Sequence, residues 1–227
     1  MCDHNQFEVI PTKDHICVRF RKERTVLSSA VLNGGLLSAA NIVIMKVKKN
    51  LGEPEQNFEN PAETLSKYSE SILLKGTTVG MMTAASMDSF RQTTRSFQGV
   101  DFTAIVTAGI SNARCAGDSA DWQKLQFTVP ATGTINIILI ANAPLSRAAM
   151  VEAVMVATEA KTLALRELGV KSPVSGTIAT GTGTDAIAVA SGIGPAEISY
   201  CGKHVPCGEM LASAVIEALI NALKNEI

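Results

Sequence analysis

The segment from Thr177 to Ala190 places four threonines, two glycines and one aspartate between two runs of small apolar residues. Such flanks are typical of buried strands, and glycine permits backbone conformations and close approaches that other residues do not. Hydroxyl and backbone N–H groups would then surround Asp185. A plain hairpin turn and a functional loop both fit the pattern. Two further dense stretches, Thr107 to Asn112 and Gly202 to Glu209, favour the functional loop.

The composition sets the size and type of the core. The chain has 227 residues, of which 46% are hydrophobic and 18% charged, so we expect one globular domain spanning residues 1–227. Only 4% of the residues are aromatic. The core must therefore be built mainly from aliphatic side chains.

The charge balance and the number of cysteines limit the binding partners and the cellular compartment that we expect for the protein. Twenty basic and twenty-one acidic residues, without a long basic run, argue against nucleic acid. The polar start, Met1 to Asn5, does not resemble a secretory signal, and no apolar stretch reaches the roughly 20 residues of a membrane span. Five cysteines are an odd number, which argues against a disulfide framework. We expect a cytoplasmic protein with free thiols and no membrane partner. A homo-oligomer is compatible with the sequence.

Apolar periodicity predicts strands and three main helices. The helices begin at Pro61 after an Asn60 cap, at about Arg147, and at about Glu209; the first is expected to end at Gly76. Strands are predicted as two or three antiparallel segments within 7–29, and over 41–47, 77–83, 88–97, 102–106, 134–140 and 185–190. The predicted fold is a single α+β domain in which a mixed, largely antiparallel sheet is layered with the helices.

Several polar positions stand where strands end. Asn33, Gly34 and Gly35 form a turn signal or a loop whose bare backbone lies against a substrate. Ser111 and Asn112 follow the 102–106 strand; they would donate hydrogen bonds to a carbonyl oxygen, or simply complete a turn.

Two further positions interrupt apolar elements. Asn136 lies inside an apolar strand, where its amide must find partners or face a pocket. On the second helix, Glu152 and Glu159 share a face and Lys161 projects to the opposite side. That half of the helix either emerges into solvent or brings Glu159 into a site.

The loop before the last helix suggests two kinds of chemistry. Cys201, His204 and Cys207 have the spacing of metal ligands, but structural zinc normally takes four and no second cluster accompanies them. A catalytic zinc with three ligands stays open. For hydrolysis, histidine suits acid and base work near neutral pH, so His204 oriented by Asp185 is the candidate, with Lys203 steadying an oxyanion. The residues name no nucleophile: water, serine and threonine all remain open. Gly-Thr-Gly-Thr has neither a P-loop lysine nor a dinucleotide fingerprint.

Taken together, the order and identity of these motifs resemble the adenosylcobinamide amidohydrolase family, from about Val26 to Leu219. The motifs that carry the resemblance are Ser28-Ser29 with Asn33-Gly34-Gly35, Val79 to Ala84, Thr107-Ala108-Gly109, Asn112-Ala113, Ala116-Gly117-Asp118, Gly133 to Asn136, Thr158 to Lys161, Ala179 to Asp185, and Gly202-Lys203-His204 with Gly208-Glu209. The cysteines around His204 are not part of the family pattern, which lowers the case for a metal.

The resemblance implies hydrolysis of the amide that joins aminopropanol, or its phosphate, to the corrin ring of adenosylcobinamide. The products would be adenosylcobyric acid and the amino alcohol, in a cobamide salvage step; some relatives act on complete cobamides. The cobalt-coordinating Asp-x-His-x-x-Gly motif of cobalamin enzymes is absent. We therefore expect no cofactor and no metal site, with cobalt present only in the substrate.

The predicted catalytic residues are His204 and Asp185, followed by Lys203 and Glu159. The predicted substrate-binding residues are Asn33, Gly34, Gly35, Ser111, Asn112, Asn136, Thr182, Thr184 and Glu209. Two alternatives stand beside this function: a corrinoid-binding protein without catalysis, and a hydrolase of small amides with a serine or threonine nucleophile.

Overall fold

The computed structural model describes residues 6–47, 60–120, 133–224 and 226. Its strands are β1 (Phe7–Pro11), β2 (His15–Ser28), β3 (Gly35–Lys46), β4 (Thr78–Thr83), β5 (Arg91–Phe97), β6 (Val100–Ala108), β7 (Ala113–Arg114), β8 (Ile135–Ala141), β9 (Gly181–Thr182) and β10 (Ala186–Ala190). Its helices are α1 (Pro61–Ser71), α2 (Arg147–Glu167) and α3 (Pro206–Leu223), with a 3₁₀ turn at Met87–Ser89.

One sheet runs in the order β4-β3-β2-β10-β8-β6-β5, with β1 beside β2; β7 and β9 form a separate two-stranded ribbon. Within the large sheet, β3 pairs with β4 and β8 pairs with β10 in parallel, while the other five pairings are antiparallel. The predicted α+β fold with a mixed, largely antiparallel sheet and three helices is confirmed.

Two of the predicted helices have different ends. The Asn60 side chain accepts a hydrogen bond from Ala62 N at 2.9 Å and caps α1 as expected. The helix ends at Ser71 and not at Gly76, because Leu73 takes a φ of 59° and Leu74 N turns back to Ser69 O. Helix α3 begins at Pro206, three residues before the predicted Glu209, since proline suits the first turn of a helix.

Three apolar clusters show that the sheet folds over on itself between helices. The first packs α2 and α3 on one face of β6, β8 and β10, with residues such as Val106, Leu139 and Leu211. The second joins the other face of those strands to β2, β3 and β4, for example Ile138 to Ile44. The third lies between β3 and α1. The layers are therefore helix, sheet, sheet and helix.

Helix α3 packs against α2, β5 and β6. Among the described helices it alone is long and apolar enough to cross a membrane by length and composition, and 50% of that window is buried inside the protein. Its apolar side serves the first cluster, so composition alone does not assign it to a membrane.

Candidate functional site

Polar side chains collect where β6 ends and β8 and β10 begin. Asn136, the second residue of β8, pairs with Thr107 of β6 on one side and with Ala186 of β10 on the other. The flanking loops therefore meet at the same edge of the sheet. We name this region the polar end; its residues are Thr107, Asn112, Thr134, Asn136, Lys161, Thr182, Thr184 and Asp185.

Asp185 is the most heavily bonded group of the polar end. Its carboxylate forms an ion pair with Lys161 and accepts a hydrogen bond from the Thr182 hydroxyl. It also accepts hydrogen bonds at 3.0 Å from the backbone N–H groups of Thr182 and Ile135. The Lys161 and Asp185 side chains are only 9% and 11% exposed. Asp185 therefore ties α2, β8 and the threonine loop together, and both its oxygens are engaged.

Glycine is required where the loop passes Lys161. Gly181 and Thr182 pair with Arg114 and Ala113 as β9 and β7. A Cβ at Gly181 would lie 2.7 Å from Lys161 Nζ and would also collide with the Asp185 carboxylate. The threonine loop is thus both a turn, as one prediction had it, and the holder of the ion pair.

Two threonine hydroxyls face each other beside this ion pair. Thr134 Oγ1 lies 2.6 Å from Thr184 Oγ1, and these two hydroxyls lie 2.7 and 3.2 Å from the Gly133 carbonyl oxygen. Gly133 has a φ of 113°, which favours glycine, and a Cβ there would collide with the Asn112 amide. Thr134 is buried, whereas Thr184 is exposed.

Four buried polar atoms of the polar end have no hydrogen-bond partner within the described part of the chain. They are both amide atoms of Asn112, Oδ1 of Asn136 and Oγ1 of Thr107. Asn136 uses only its Nδ2, which donates to Met82 O at 2.8 Å. An unsatisfied buried polar group costs about 1–3 kcal/mol, so groups concentrated in this way point to a polar ligand.

The structure does not bring His204 and Asp185 together. Lys203, beside His204, pairs with Glu159, whereas Asp185 pairs with Lys161. Positions 159 and 161 are about 200° apart around a helix with 3.6 residues per turn, so these partners lie on different sides of α2. His204 is exposed, and its ring lies next to Gly202. The predicted orientation of His204 by Asp185 is therefore not observed.

The remaining predicted substrate-binding residues lie in a turn near the polar end or on the protein surface. Asn33 donates to Thr78 O at 2.9 Å and, with Gly35, has a positive φ, so these residues form a turn. That turn follows Ser29, which pairs with Ile187 near Asp185. Ser111 is exposed beside Asn112, and Glu209 is exposed in the first turn of α3.

The Cys201, His204 and Cys207 cluster does not form a metal centre in the structure. Within residues 6–47, 60–120 and 133–224, no three His, Cys, Asp or Glu side chains are grouped for a metal ion. Burial raises the pKa of the Cys201 thiol to about 12, whereas zinc requires a thiolate. The four cysteines within the described residues are free, and Cys2 lies outside them.

A cavity of about 1020 Å³ lies at the other end of the same strands. Its walls come from the β5–β6 turn, the ends of β1 and β8, and the loop after β10; they include Arg19, Gln98, Asp101, Asn142 and Ile193. None of the predicted site residues lines it. This cavity therefore lies apart from both Asp185 and His204.

Three residues of the polar end were not among the site residues predicted from the sequence: Lys161, Thr134 and Thr107. The signal for Lys161 was a lysine between Ala160 and Ala164 on an otherwise small, apolar helix face. Thr134 and Asn136 alternate with Ile135 and Ile137, so they share the face of the strand that looks between the two halves of the sheet. Such alternation was readable from the sequence.

The sequence of the chain is similar to those of known proteins. Residues 2–227 match the sequence model of the CbiZ family, adenosylcobinamide amidohydrolase. An uncharacterized protein of Methanocaldococcus jannaschii is 38% identical over 157 residues, which are 63% of this chain and 61% of that protein. An adenosylcobinamide amidohydrolase of Methanosarcina mazei is 32% identical over 200 residues, 84% of this chain and 86% of that protein.

The similarity to solved structures is weaker. The PH0078 protein of Pyrococcus horikoshii aligns with a TM-score of 0.44 and 13% identity, over 94% of this chain and 78% of its own. A Burkholderia β-aminopeptidase aligns with a TM-score of 0.45 and 14% identity, over 92% of this chain and 78% of its own. An L-aminopeptidase D-Ala-esterase/amidase of Ochrobactrum anthropi aligns with a TM-score of 0.42 and 10% identity, over 96% of this chain and 83% of its own.

The family match covers nearly every residue, and the M. mazei relative exceeds 30% identity over most of both chains. The predicted family is confirmed. The chain belongs to the adenosylcobinamide amidohydrolase family, whose activity is hydrolysis of a carbon–nitrogen amide bond.

Proposed function

We propose that this chain hydrolyses the amide between aminopropanol, or its phosphate, and the corrin ring of adenosylcobinamide. The products are adenosylcobyric acid and the amino alcohol, which return scavenged corrinoids to cobamide synthesis. The family membership supports the reaction type. The cytoplasm is the proposed compartment, and neither nucleic acid nor a membrane is a proposed partner.

The observation that carries the proposal is the set of unpartnered polar atoms at the polar end. Asn112 presents both a free amide N–H donor and a free carbonyl acceptor, although both atoms are buried. A substrate amide offers the complementary acceptor and donor, so its entry removes the cost of leaving these groups unpaired. Corrin side chains carry several amides, and selection among them depends on such fixed positioning.

We place the amide arm of the substrate at the polar end, with the corrin ring outside it. The Asn112 Nδ2 donor then polarises the carbonyl that is cut, as an oxyanion donor does. No resident cofactor is proposed, so hydrolysis should persist after dialysis against a chelator.

The test is incubation of the purified chain with adenosylcobinamide, followed by chromatography and mass measurement of the corrinoid. We expect a product with the mass of adenosylcobyric acid, with separate incubations for adenosylcobinamide phosphate and a complete cobamide. Loss of one oxyanion donor typically costs about 10²–10³ in kcat, so Asn112→Ala should show that loss. Glu217→Gln, on an exposed pair with Arg95, is the matched control. Tight binding without any change of corrinoid mass would instead indicate a corrinoid-binding protein without catalysis.

The acid or base role of His204 stays a prediction that can be tested separately. His204 is exposed, and the neighbouring Lys203 pairs with Glu159, on another side of α2 from Lys161. The measurement is kcat of His204→Ala over a range of pH. Turnover equal to that of the unsubstituted chain would remove the role without affecting the proposed reaction.

A further inference from the structure

The polar end contains four threonine hydroxyls that differ in what surrounds them. The Thr182 hydroxyl is held by the Asp185 carboxylate. Thr107 is fully buried and lies opposite Asn136 in the pairing of β6 with β8. Thr134 and Thr184 form a hydroxyl pair at 2.6 Å, of which Thr184 is exposed to solvent. The pair therefore connects a buried hydroxyl to the surface.

We infer that Thr134 Oγ1 is the nucleophile of the proposed amide hydrolysis, with Thr184 as its proton-relaying neighbour and Asn112 as the oxyanion donor. The inference rests on the proposed function and adds the attacking atom to it. Neither threonine was predicted as a nucleophile from the sequence.

The position of Thr134 is fixed more firmly than that of its neighbour. Thr134 directly precedes β8, and the next backbone N–H, that of Ile135, is held by the buried Asp185 carboxylate. A nucleophile on a rigid element keeps its attack geometry better than one on a loop. Thr184 sits in the turn before β10.

The unpartnered Asn112 amide adjoins the residues that precede both threonines. A Cβ at Gly183 would lie 3.5 Å from Asn112 Nδ2, and a Cβ at Gly133 would collide with Asn112 Oδ1. The free Nδ2 donor therefore lies beside the loop that carries Thr184, on the side from which it can serve the oxygen of a carbonyl attacked at the hydroxyl pair. The proposed nucleophile and the proposed oxyanion donor thus belong to the same polar end.

The reaction is balanced without a co-reactant other than water. Thr134 Oγ1 bonds to the amide carbon, and its proton passes through the Thr184 hydroxyl to the amide nitrogen. The carbon–nitrogen bond breaks, the amine leaves, and an ester to Thr134 remains. Water then adds to the ester carbon, the acid is released, and a proton returns to Oγ1.

A water nucleophile activated by Asp185 fits the contacts less well. Each oxygen of Asp185 already accepts two hydrogen bonds, and one of them is paired with Lys161. With both oxygens occupied, the carboxylate has little room for a further hydrogen bond from water. Its contacts suit the fixing of β8 and of the loop that carries Thr184.

The experiment compares Thr134→Val, Thr134→Ser, Thr184→Val and the control Thr94→Val. Thr94 forms another close hydroxyl pair, at 2.9 Å from Thr103, at the far end of β6. We expect Thr134→Val to lose at least about 10³ in kcat with adenosylcobinamide and Thr134→Ser to restore much of it. Thr184→Val should lose about 10²-fold, as for a proton-transfer group. Thr94→Val should match the unsubstituted chain.

A second measurement identifies the acylated atom and separates the two proposals. Samples reacted with adenosylcobinamide, and others with p-nitrophenyl acetate, are quenched in acid and mapped by peptide mass. We expect the acyl group on Thr134 and its absence from Thr134→Val, with thermal unfolding confirming that each variant is folded. Acylation of another residue, or near-normal turnover by Thr134→Val, overturns the inference. If Thr134 is acetylated by p-nitrophenyl acetate but adenosylcobinamide stays intact, Thr134 is the nucleophile and adenosylcobinamide is not the substrate.

Discussion

Helix α2 carries two ion pairs that differ in their surroundings far more than in their chemistry. Lys161 pairs with Asp185 where the side chains are 9% and 11% exposed, and Glu159 pairs with Lys203 where they are 51% and 67% exposed. Both pairs join a lysine to a carboxylate. Two positions along one helix therefore separate a buried pair from a solvent-exposed one.

The difference shows which contact organises the molecule. An exposed pair is screened by water and salt and contributes about 0–1 kcal/mol. In a buried pair, loss of one partner leaves an uncompensated charge and costs about 3–5 kcal/mol. The Asp185 pair also binds two backbone N–H groups, so it fixes the strand and the loop that hold the two threonines.

Asp185→Asn should give the largest effect. It leaves the Lys161 ammonium buried without a counter-charge, so we expect a loss of about 3–5 kcal/mol in the free energy of unfolding. Urea denaturation followed by circular dichroism measures it. Glu217→Gln is the control, because its partner Arg95 is on the surface. A loss below about 1 kcal/mol would mean that the buried pair behaves like the exposed one.

Replacing both members of the buried pair should cost less than replacing one. Lys161→Met with Asp185→Leu leaves no unpaired charge, and such replacements are often close to neutral in stability. Asp185 also serves three hydrogen-bond donors besides Lys161, so we expect the double variant to keep a loss of about 1–3 kcal/mol. The double-mutant cycle, measured in urea, should give a coupling free energy of about 1–3 kcal/mol. Additive single losses would contradict it.

The contrast between the two pairs also shows what local pattern predicts. Strands and helices were predictable because their signals are local, such as Asn60 before Pro61, or the apolar run within 134–140. The opposite directions of Glu159 and Lys161 also followed from helix geometry. The threonine loop and the strand exits were correctly singled out as polar places on the sheet edge.

The partners across the fold were not predictable in the same way. His204 and Asp185 were grouped by residue type, but Asp185 and the neighbour of His204, Lys203, pair with different sides of α2. That separation depends on how α2 packs on the sheet, which no spacing along the chain reveals. Lys161 was predicted only to project to the side of the helix opposite Glu159, because nothing local shows that a lysine stem is buried and meets a carboxylate 24 residues later.

Glu159→Gln should give the smallest effect and tests the exposed side of the comparison. Because the Lys203 ammonium remains in water when its partner loses charge, we expect a stability loss below about 1 kcal/mol. The loss should shrink further when the salt concentration rises from 0.05 to about 0.5 M, since the Debye length falls from more than 10 Å to about 4 Å. Asp185→Asn, measured in parallel, should keep most of its loss over the same range, because a buried pair is screened much less. If both losses fell equally with salt, burial would not be what distinguishes the two pairs. The Glu159→Gln turnover, measured in the same samples, tests the predicted role of Glu159 in the site independently of stability.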